Sequence, residues 1–118
     1  MADTNPMKDT VILVNRYGMG HGDADLQLKL FNTYLTLLEQ TGSLPAVMCF
    51  YTDGVRLAVA GSPMLERLHR LEEKGVRLVL CSSCLSYYNL VEKVQVGLVG
   101  SMADILEAQN QAAKVITL

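Results

Sequence analysis

No stretch of this sequence approaches the roughly 20 consecutive apolar residues needed to cross a bilayer, so nothing in it reads as a transmembrane span. No secretory signal is expected either. Such a signal needs a basic segment and then an apolar one, whereas the opening Met1-Ala2-Asp3-Thr4-Asn5-Pro6-Met7-Lys8-Asp9-Thr10 is polar throughout. These absences lead us to expect a cytoplasmic protein. Three cysteines are too few and too unevenly spaced for a secreted disulfide framework. There is no polybasic tail, and Lys29, Arg56, Arg67, Arg70, Lys74, Arg77, Lys93 and Lys114 are scattered among acids, so no nucleic-acid track is expected. Internal repeats, low-complexity segments and domain linkers are also missing.

What is present fits one globular domain. The chain has 118 residues, half of them hydrophobic, with 10 basic and 12 acidic residues and a formal net charge of -2. At that size roughly two-thirds of the unfolded surface is buried on folding. Residues 1–10 are expected to form a flexible amino-terminal segment and residues 11–118 a single α/β domain.

Short apolar runs alternate with helical spacing. Val11-Ile12-Leu13-Val14 reads as a strand, followed by a glycine-rich turn and a helix that Asp23 can cap, with Leu30, Phe31, Tyr34, Leu35 and Leu38 on one face and Gly42 as its stop. Ala46 to Tyr51 repeats the strand pattern and ends at Thr52-Asp53-Gly54, a turn signature. Val55 to Gly61 is ambiguous between a strand and one or two helical turns, and helix is preferred. Ser62 and Pro63 open a helix with Leu65, Leu68 and Leu71 inward and Gly75 as stop. Val76 to Leu80 is the third strand, Val94 to Val99 the fourth and Lys114 to Leu118 the fifth, with a helix capped by Ser101 and facing inward through Met102, Ile105 and Leu106. Strands joined by helices imply parallel pairing with right-handed crossovers and helices on both faces, a three-layer α/β/α fold around a five-stranded, mostly parallel sheet.

The sequence is organised around Leu78-Val79-Leu80-Cys81-Ser82-Ser83-Cys84, where a buried strand runs into a turn carrying two cysteines three residues apart. If Ser82 or Ser83 caps the next helix, Cys81 lies at its amino terminus, where unpaired backbone N–H groups and the positive dipole end favour a thiolate over a thiol. Cys84 follows about one turn later, within reach for a disulfide or a transferred sulfur. Cys81 is therefore expected to react before Cys84. Cys49, between Met48 and Phe50, is expected to be inert packing. Two alternatives stay open, a pair of small buried hydrophobes and half a zinc site completed by His21 and Asp23. His69, among charged residues, reads as a surface histidine.

In an open α/β sheet the ligand crevice lies beyond the carboxyl ends of the strands, here formed by the loops Asn15 to Asp23, Thr52 to Gly54 and Cys81 to Tyr88. Gly18-Met19-Gly20-His21-Gly22-Asp23 is not a dinucleotide fingerprint. Asp23 stands where its third small residue is required, and no acid lies at the expected place after the second strand.

These blocks resemble the DsrE/DsrF-like family of small α/β sulfur-handling proteins, and among them the carboxy-terminal domain of the YedF proteins, called sulfurtransferase-like and linked to selenium metabolism. The likeness runs from Val11 to Leu118, through Val11-Ile12-Leu13-Val14-Asn15 with Gly18-Met19-Gly20, Phe50-Tyr51-Thr52-Asp53-Gly54-Val55, Leu71-Glu72-Glu73-Lys74-Gly75-Val76, Cys81 to Tyr88, and Lys114-Val115-Ile116-Thr117-Leu118. In the sulfur-relay relatives a cysteine at the position of Cys81 carries sulfur as a persulfide. Those relatives lack a second cysteine three residues later and have basic residues where Tyr87-Tyr88 stand here. YedF proteins also carry a TusA-like domain with a Cys-Pro motif, which this sequence does not contain, so a free-standing version or one domain of a longer protein is expected.

The resemblance implies a sulfur or selenium carrier, a possible sulfurtransferase, with Cys81 as acceptor, Cys84 as resolving thiol, and a pocket shaped by Asn15, Gly18, Gly20, Asp53, Gly54, Tyr87 and Tyr88. No metal or cofactor is implied. The implied partners are sulfur-donor and sulfur-acceptor proteins, a TusA-like domain among them. A homo-oligomer, trimer or hexamer, is also expected, the more so because Val55 to Ala60 offers apolar surface with little of its own chain to cover it. The rival expectation is a non-enzymatic oligomeric binding or assembly module whose cysteines only pack.

Overall fold

In a computed structural model that describes residues 4–118, the strands are β1 Thr10–Val14, β2 Val47–Phe50, β3 Arg77–Cys81, β4 Leu98–Gly100 and β5 Lys114–Thr117. The helices are α1 Ala24–Gln40, α2 Leu65–Glu73, α3 Ser82–Tyr87 and α4 Met102–Gln111, with 3₁₀ turns at Thr52–Ala58 and Val91–Lys93. The sheet order is β4-β3-β2-β1-β5, and every pairing is parallel. From β1 to β4 the chain steps one way across the sheet, then returns over its whole width to β5. Right-handed crossovers therefore place α1 and α2 on one face and α4 on the other.

The core follows from this arrangement. Val11, Val47 and Arg77 stand in register in one row, and Ile12, Met48 and Leu78 form the next. The second row is sealed, and Phe31, Leu35, Leu38, Leu68 and Leu71 of α1 and α2 are buried with it. Because both faces of the three central strands are covered, they read as continuous apolar runs rather than alternating ones. A carboxylate ties the two helices together. Glu39 of α1 accepts from Arg67 Nη1 at 2.9 Å and from Arg70 Nη2 at 2.8 Å, with Lys74 Nζ at 3.8 Å. Its side chain is only 8% exposed, and these guanidiniums hold its carboxyl below the usual range, Arg70 contributing most. Ser101 caps α4 as expected, in a capping box with Asp104, whose carboxyl is held down by hydrogen bonds from the Ser101 backbone N–H and side chain.

The structure departs from the sequence reading at identifiable places. Met1 to Asp3 lie outside the described residues, but later in the opening segment the Asn5 side chain donates to Leu44 O at 2.8 Å and Met7 is buried. β4 starts only at Leu98, since Gly97 takes φ +84, which an extended run does not accommodate. Met102 and Leu106 are more than half exposed, and Ile105 alone of the three faces the core. Leu30 is likewise exposed, because the stripe of α1 that meets the sheet is Phe31, Leu35 and Leu38. Asp23 occupies the cap position without a capping side-chain bond.

Val55 to Ala58 lie in a 3₁₀ turn, as preferred, while Val59 is extended and bridges Val94, and the apolar side chains of this segment are not free surface. Val55, Leu57, Ala58 and Val59 are buried within the chain itself, against β2, β3, α2 and α3. Exposed apolar side chains are found instead on edge strand β4 and on α4, at Leu98, Val99, Met102 and Leu106, and on α1, at Leu26, Leu30 and Leu37. None of the helices among the described residues is long and apolar enough to cross a membrane.

Candidate functional site

The two cysteines sit where β3 becomes α3. Cys81 is the last residue of β3 and itself takes the cap position of α3, with φ -64 and ψ 117, so Ser82 and Ser83 are already helical and cap nothing. Leu85 is fully buried and fastens α3 to the core. The helix ends after one and a half turns because Asn89 adopts φ +57, a left-handed conformation that asparagine tolerates.

The two thiols differ in their access to solvent. Cys81 is 2% exposed. Cys84 is only half-buried and lines an open cavity of about 260 Å³ with Thr52, Ser83, Tyr87 and Tyr88. The Thr52 backbone N–H donates to Cys84 Sγ at 3.0 Å. Burial pushes the Cys84 thiol up, the Thr52 N–H pulls it partly back, and a hydrogen bond and charge from the Cys81 sulfur push it up again.

Thr52 is held in a costly conformation to make that contact. Its φ of +47 is left-handed, where a β-branched residue is a genuine outlier at a cost of about 1–3 kcal/mol. The hydroxyl proton has two acceptors in reach, Asn15 O at 2.8 Å and Tyr51 O at 2.7 Å, and the first ties the turn to the end of β1. The sequence reading named Thr52-Asp53-Gly54 as a turn but did not place Thr52 in the site; its signal was a turn directly after a strand, facing the cysteine loop.

Beyond Thr52 the rim is aromatic and charged. The Tyr87 and Tyr88 rings meet edge to face at 5.5 Å, and Tyr87 is 83% exposed. The Arg56 guanidinium carbon lies 4.1 Å from the Tyr88 ring centre. Asp53 Oδ1 accepts from Tyr88 OH at 3.2 Å and from Arg56 Nε at 3.3 Å, closing a triangle of three side chains. Partial burial and the Asp53 carboxylate raise the Tyr88 phenol, and Arg56 lowers it.

Asn15 and Asp53 line a second cavity of about 360 Å³ with Arg16, Tyr17, His21 and Gln27. Asn15 Oδ1 is buried there without a donor among the described residues. Gln27, which the sequence did not single out, stitches the glycine loop by accepting from Gly22 N–H at 3.0 Å and donating to Tyr17 O at 3.1 Å.

Of the expected glycines, Gly18 and Gly54 shape the crevice by letting backbones touch. A Cβ on Gly18 would strike the Gln27 carbonyl, and one on Gly54 the Val14 carbonyl. Gly20 has open space around it and lines neither cavity. No three histidine, cysteine or carboxylate side chains converge among the described residues, so His21 and Asp23 do not join the cysteine pair in a metal cluster. Cys49 is fully buried, which pushes its thiol up to about 11. His69 lies on the exposed face of α2 near Glu72 and Glu73.

A parallel five-stranded sheet with a cysteine at the β3–α3 junction, and loops from β1 and β2 folded over it, agrees with the family match. The sequence fits the DsrE/DsrF-like family over residues 8–118. The chain belongs to the DsrE/DsrF-like family. Members of this family generally act in sulfur relay with partner proteins, and the fold is of that type. No curated protein matches the sequence. Among solved structures, the ychN protein of E. coli superposes with a TM-score of 0.69 at 22% identity, covering 95% of this chain and 100% of that one. MTH1491 of Methanobacterium thermoautotrophicum, a protein of unknown function, gives 0.71 at 16% identity over 94% and 99% of the two chains. BT1422 of Bacteroides thetaiotaomicron, also of unknown function, gives 0.68 at 11% over 93% and 95%. At these identities the DsrE/DsrF-like protein shares a fold with its neighbours, and its chemistry has to be argued from its own residues.

Proposed function

We propose that the protein is an intracellular sulfur carrier that receives a sulfane sulfur on its Cys81–Cys84 pair and hands it to an acceptor protein. The observation that carries this reading is the partly buried Cys84, which lines an open cavity, accepts from the Thr52 N–H at 3.0 Å and is hydrogen-bonded with the Cys81 thiol. Exposure favours Cys84 as the receiving thiol and Cys81 as the second one, the reverse of the order expected from the sequence.

The chemistry balances without a cofactor. Cys84 thiolate attacks the outer sulfur of a donor persulfide; the donor leaves as a thiolate and Cys84 becomes a persulfide. An acceptor thiolate can then take that outer sulfur and regenerate Cys84. Alternatively Cys81 attacks the inner sulfur, expelling hydrosulfide and leaving a Cys81–Cys84 disulfide that a cellular thiol must reduce.

The finer parts of this reading rest on the resemblance. They are a TusA-like domain as donor or acceptor, a YedF-like role with selenium as cargo, and assembly into a trimer or hexamer through the apolar strip of β4 and α4. Light scattering at tens of micromolar tests the last, and a monomer mass would overturn it.

A second reading, a binding module whose cysteines only pack, is favoured by the burial of Cys81 and the raised Cys84 thiol. Incubation with a cysteine desulfurase and cysteine, followed by intact-mass spectrometry, separates the two. The carrier gains one sulfur and Cys84→Ala does not. No added sulfur on the parent overturns the carrier reading in favour of the packing one, and equal labelling of Cys84→Ala overturns Cys84 as the receiving thiol.

A further inference from the structure

Next to the cysteine cavity is a third one, of about 400 Å³, bounded by Tyr17, Arg56, Val59, Gly61, Leu90 and Lys93. Its volume is in the range that holds small ligands. Two of its lining groups are cationic and none is acidic, in a chain whose net charge is negative. Arg56 gives its Nε to Asp53 and also hydrogen-bonds the Tyr88 side chain, whereas the Lys93 ammonium has no carboxylate partner among the described residues.

Arg56 also joins this cavity to the sulfur site. Its guanidinium carbon lies 4.1 Å from the centre of the Tyr88 ring, and Tyr88 also lines the Cys84 cavity. A ligand whose anionic group sits between Arg56 and Lys93 therefore occupies a cavity that meets the Cys84 cavity at the Arg56–Tyr88 contact. The remaining walls, Val59 and Leu90 with the Tyr17 ring, suit a short apolar stem.

We propose that this cavity binds the carboxylate of a small organic thiol, and that the persulfide of such a molecule donates sulfur to Cys84. The inference rests on the carrier reading for its second half only. The step is R–S–SH plus Cys84 thiolate giving R–S⁻ and the Cys84 persulfide, with R bearing the carboxylate held by Arg56 and Lys93.

Binding is tested without sulfur chemistry, on Cys81→Ser/Cys84→Ser protein labelled with nitrogen-15 and titrated with succinate. The amides of Arg56, Gly61 and Lys93 should shift in a saturable way. Lys93→Gln should weaken binding by about five-fold, the scale of one exposed ion pair, and Lys93→Arg should restore it. Shifts that do not saturate, or equal binding by Lys93→Gln, overturn the site.

Transfer is then tested on protein with both cysteines, comparing the persulfides of mercaptoacetate and of uncharged mercaptoethanol. The carboxylate donor should be faster, and Lys93→Gln should erase that advantage. Equal rates from the two donors in the parent overturn the substrate class while leaving the carrier intact. If neither donor loads Cys84 although succinate binds, while the desulfurase does load it, the donor half of this proposal falls and the carrier and the anion site stand; if the desulfurase fails as well, the carrier reading falls and the anion site alone stands.

Discussion

Gly54→Ala tests whether the crevice is held together by direct contact between the end of β1 and the turn that carries Thr52. A Cβ at Gly54 would overlap the Val14 carbonyl oxygen and lie 2.8 Å from its carbon and 3.4 Å from the Asn15 nitrogen. These are backbone atoms of a central strand and cannot rotate aside as a side-chain end could. The Val14 oxygen is moreover the acceptor for Tyr51 N–H at 3.1 Å. The two segments must part by on the order of 1 Å, which costs about 1–3 kcal/mol of overpacking, and loosening the hydrogen bond adds about 1 kcal/mol. A total of about 2–4 kcal/mol lowers Tm by roughly 10–15 °C for a domain of this size. Gly20→Ala is the control. Gly20 has φ +77 but nothing within 4 Å, so it should lose only the left-handed penalty of about 1–2 kcal/mol. Thermal unfolding followed by circular dichroism reads both variants. A Gly54→Ala protein that melts within about 2 °C of the parent, or above Gly20→Ala, refutes the reasoning.

Limited alkylation near neutral pH should modify Cys84 first, Cys81 more slowly, and Cys49 only after denaturation; peptide mapping that finds Cys81 labelled first contradicts the exposure argument. Because burial raises the Cys84 thiol, its labelling rate should keep rising with pH beyond the ordinary thiol range. Thr52→Ala keeps the left-handed strain and loses the hydroxyl bonds, whereas Thr52→Gly loses the bonds but relieves the strain, so urea titration should find the alanine variant less stable by about 1 kcal/mol. Glu39→Gln should lower Tm at pH 7. Since folding depresses the Glu39 carboxyl, its contribution is complete above its unfolded value and disappears as pH falls through the folded one, so the parent and variant melting curves should converge in acid.

The fold was legible because its strands announce themselves. Val11 to Val14, Val47 to Phe50 and Leu78 to Leu80 are buried on both faces, and a parallel sheet leaves no polar alternation to confuse the pattern. Boundaries were read less well where one residue's backbone decided them. Gly97 at φ +84 cuts the run Val94 to Val99 and leaves only Leu98 onward in the sheet. The inward face of α4 was misjudged for a different reason. One helix against a broad sheet buries a narrow stripe, and periodicity alone cannot say that Ile105 is on it while Leu106 and Met102 are not.

The site shows the same division between what local sequence encodes and what packing adds. A strand ending in Cys81-Ser82-Ser83-Cys84 locates the sulfur chemistry, because that motif fixes a strand-to-helix junction at the carboxyl edge of the sheet. It does not fix which thiol meets solvent. That is decided by the turn after β2, which lies over α3 and brings Thr52 onto Cys84, thirty-two residues away in sequence. The contact needs Gly54 to let the turn approach β1, and a threonine in a conformation its own propensity disfavours. No window around the cysteines contains either fact. A reading confined to helix-terminus electrostatics therefore favoured Cys81, where α3 begins, while the long-range packing exposes Cys84, one turn later, beside Tyr87 and Tyr88.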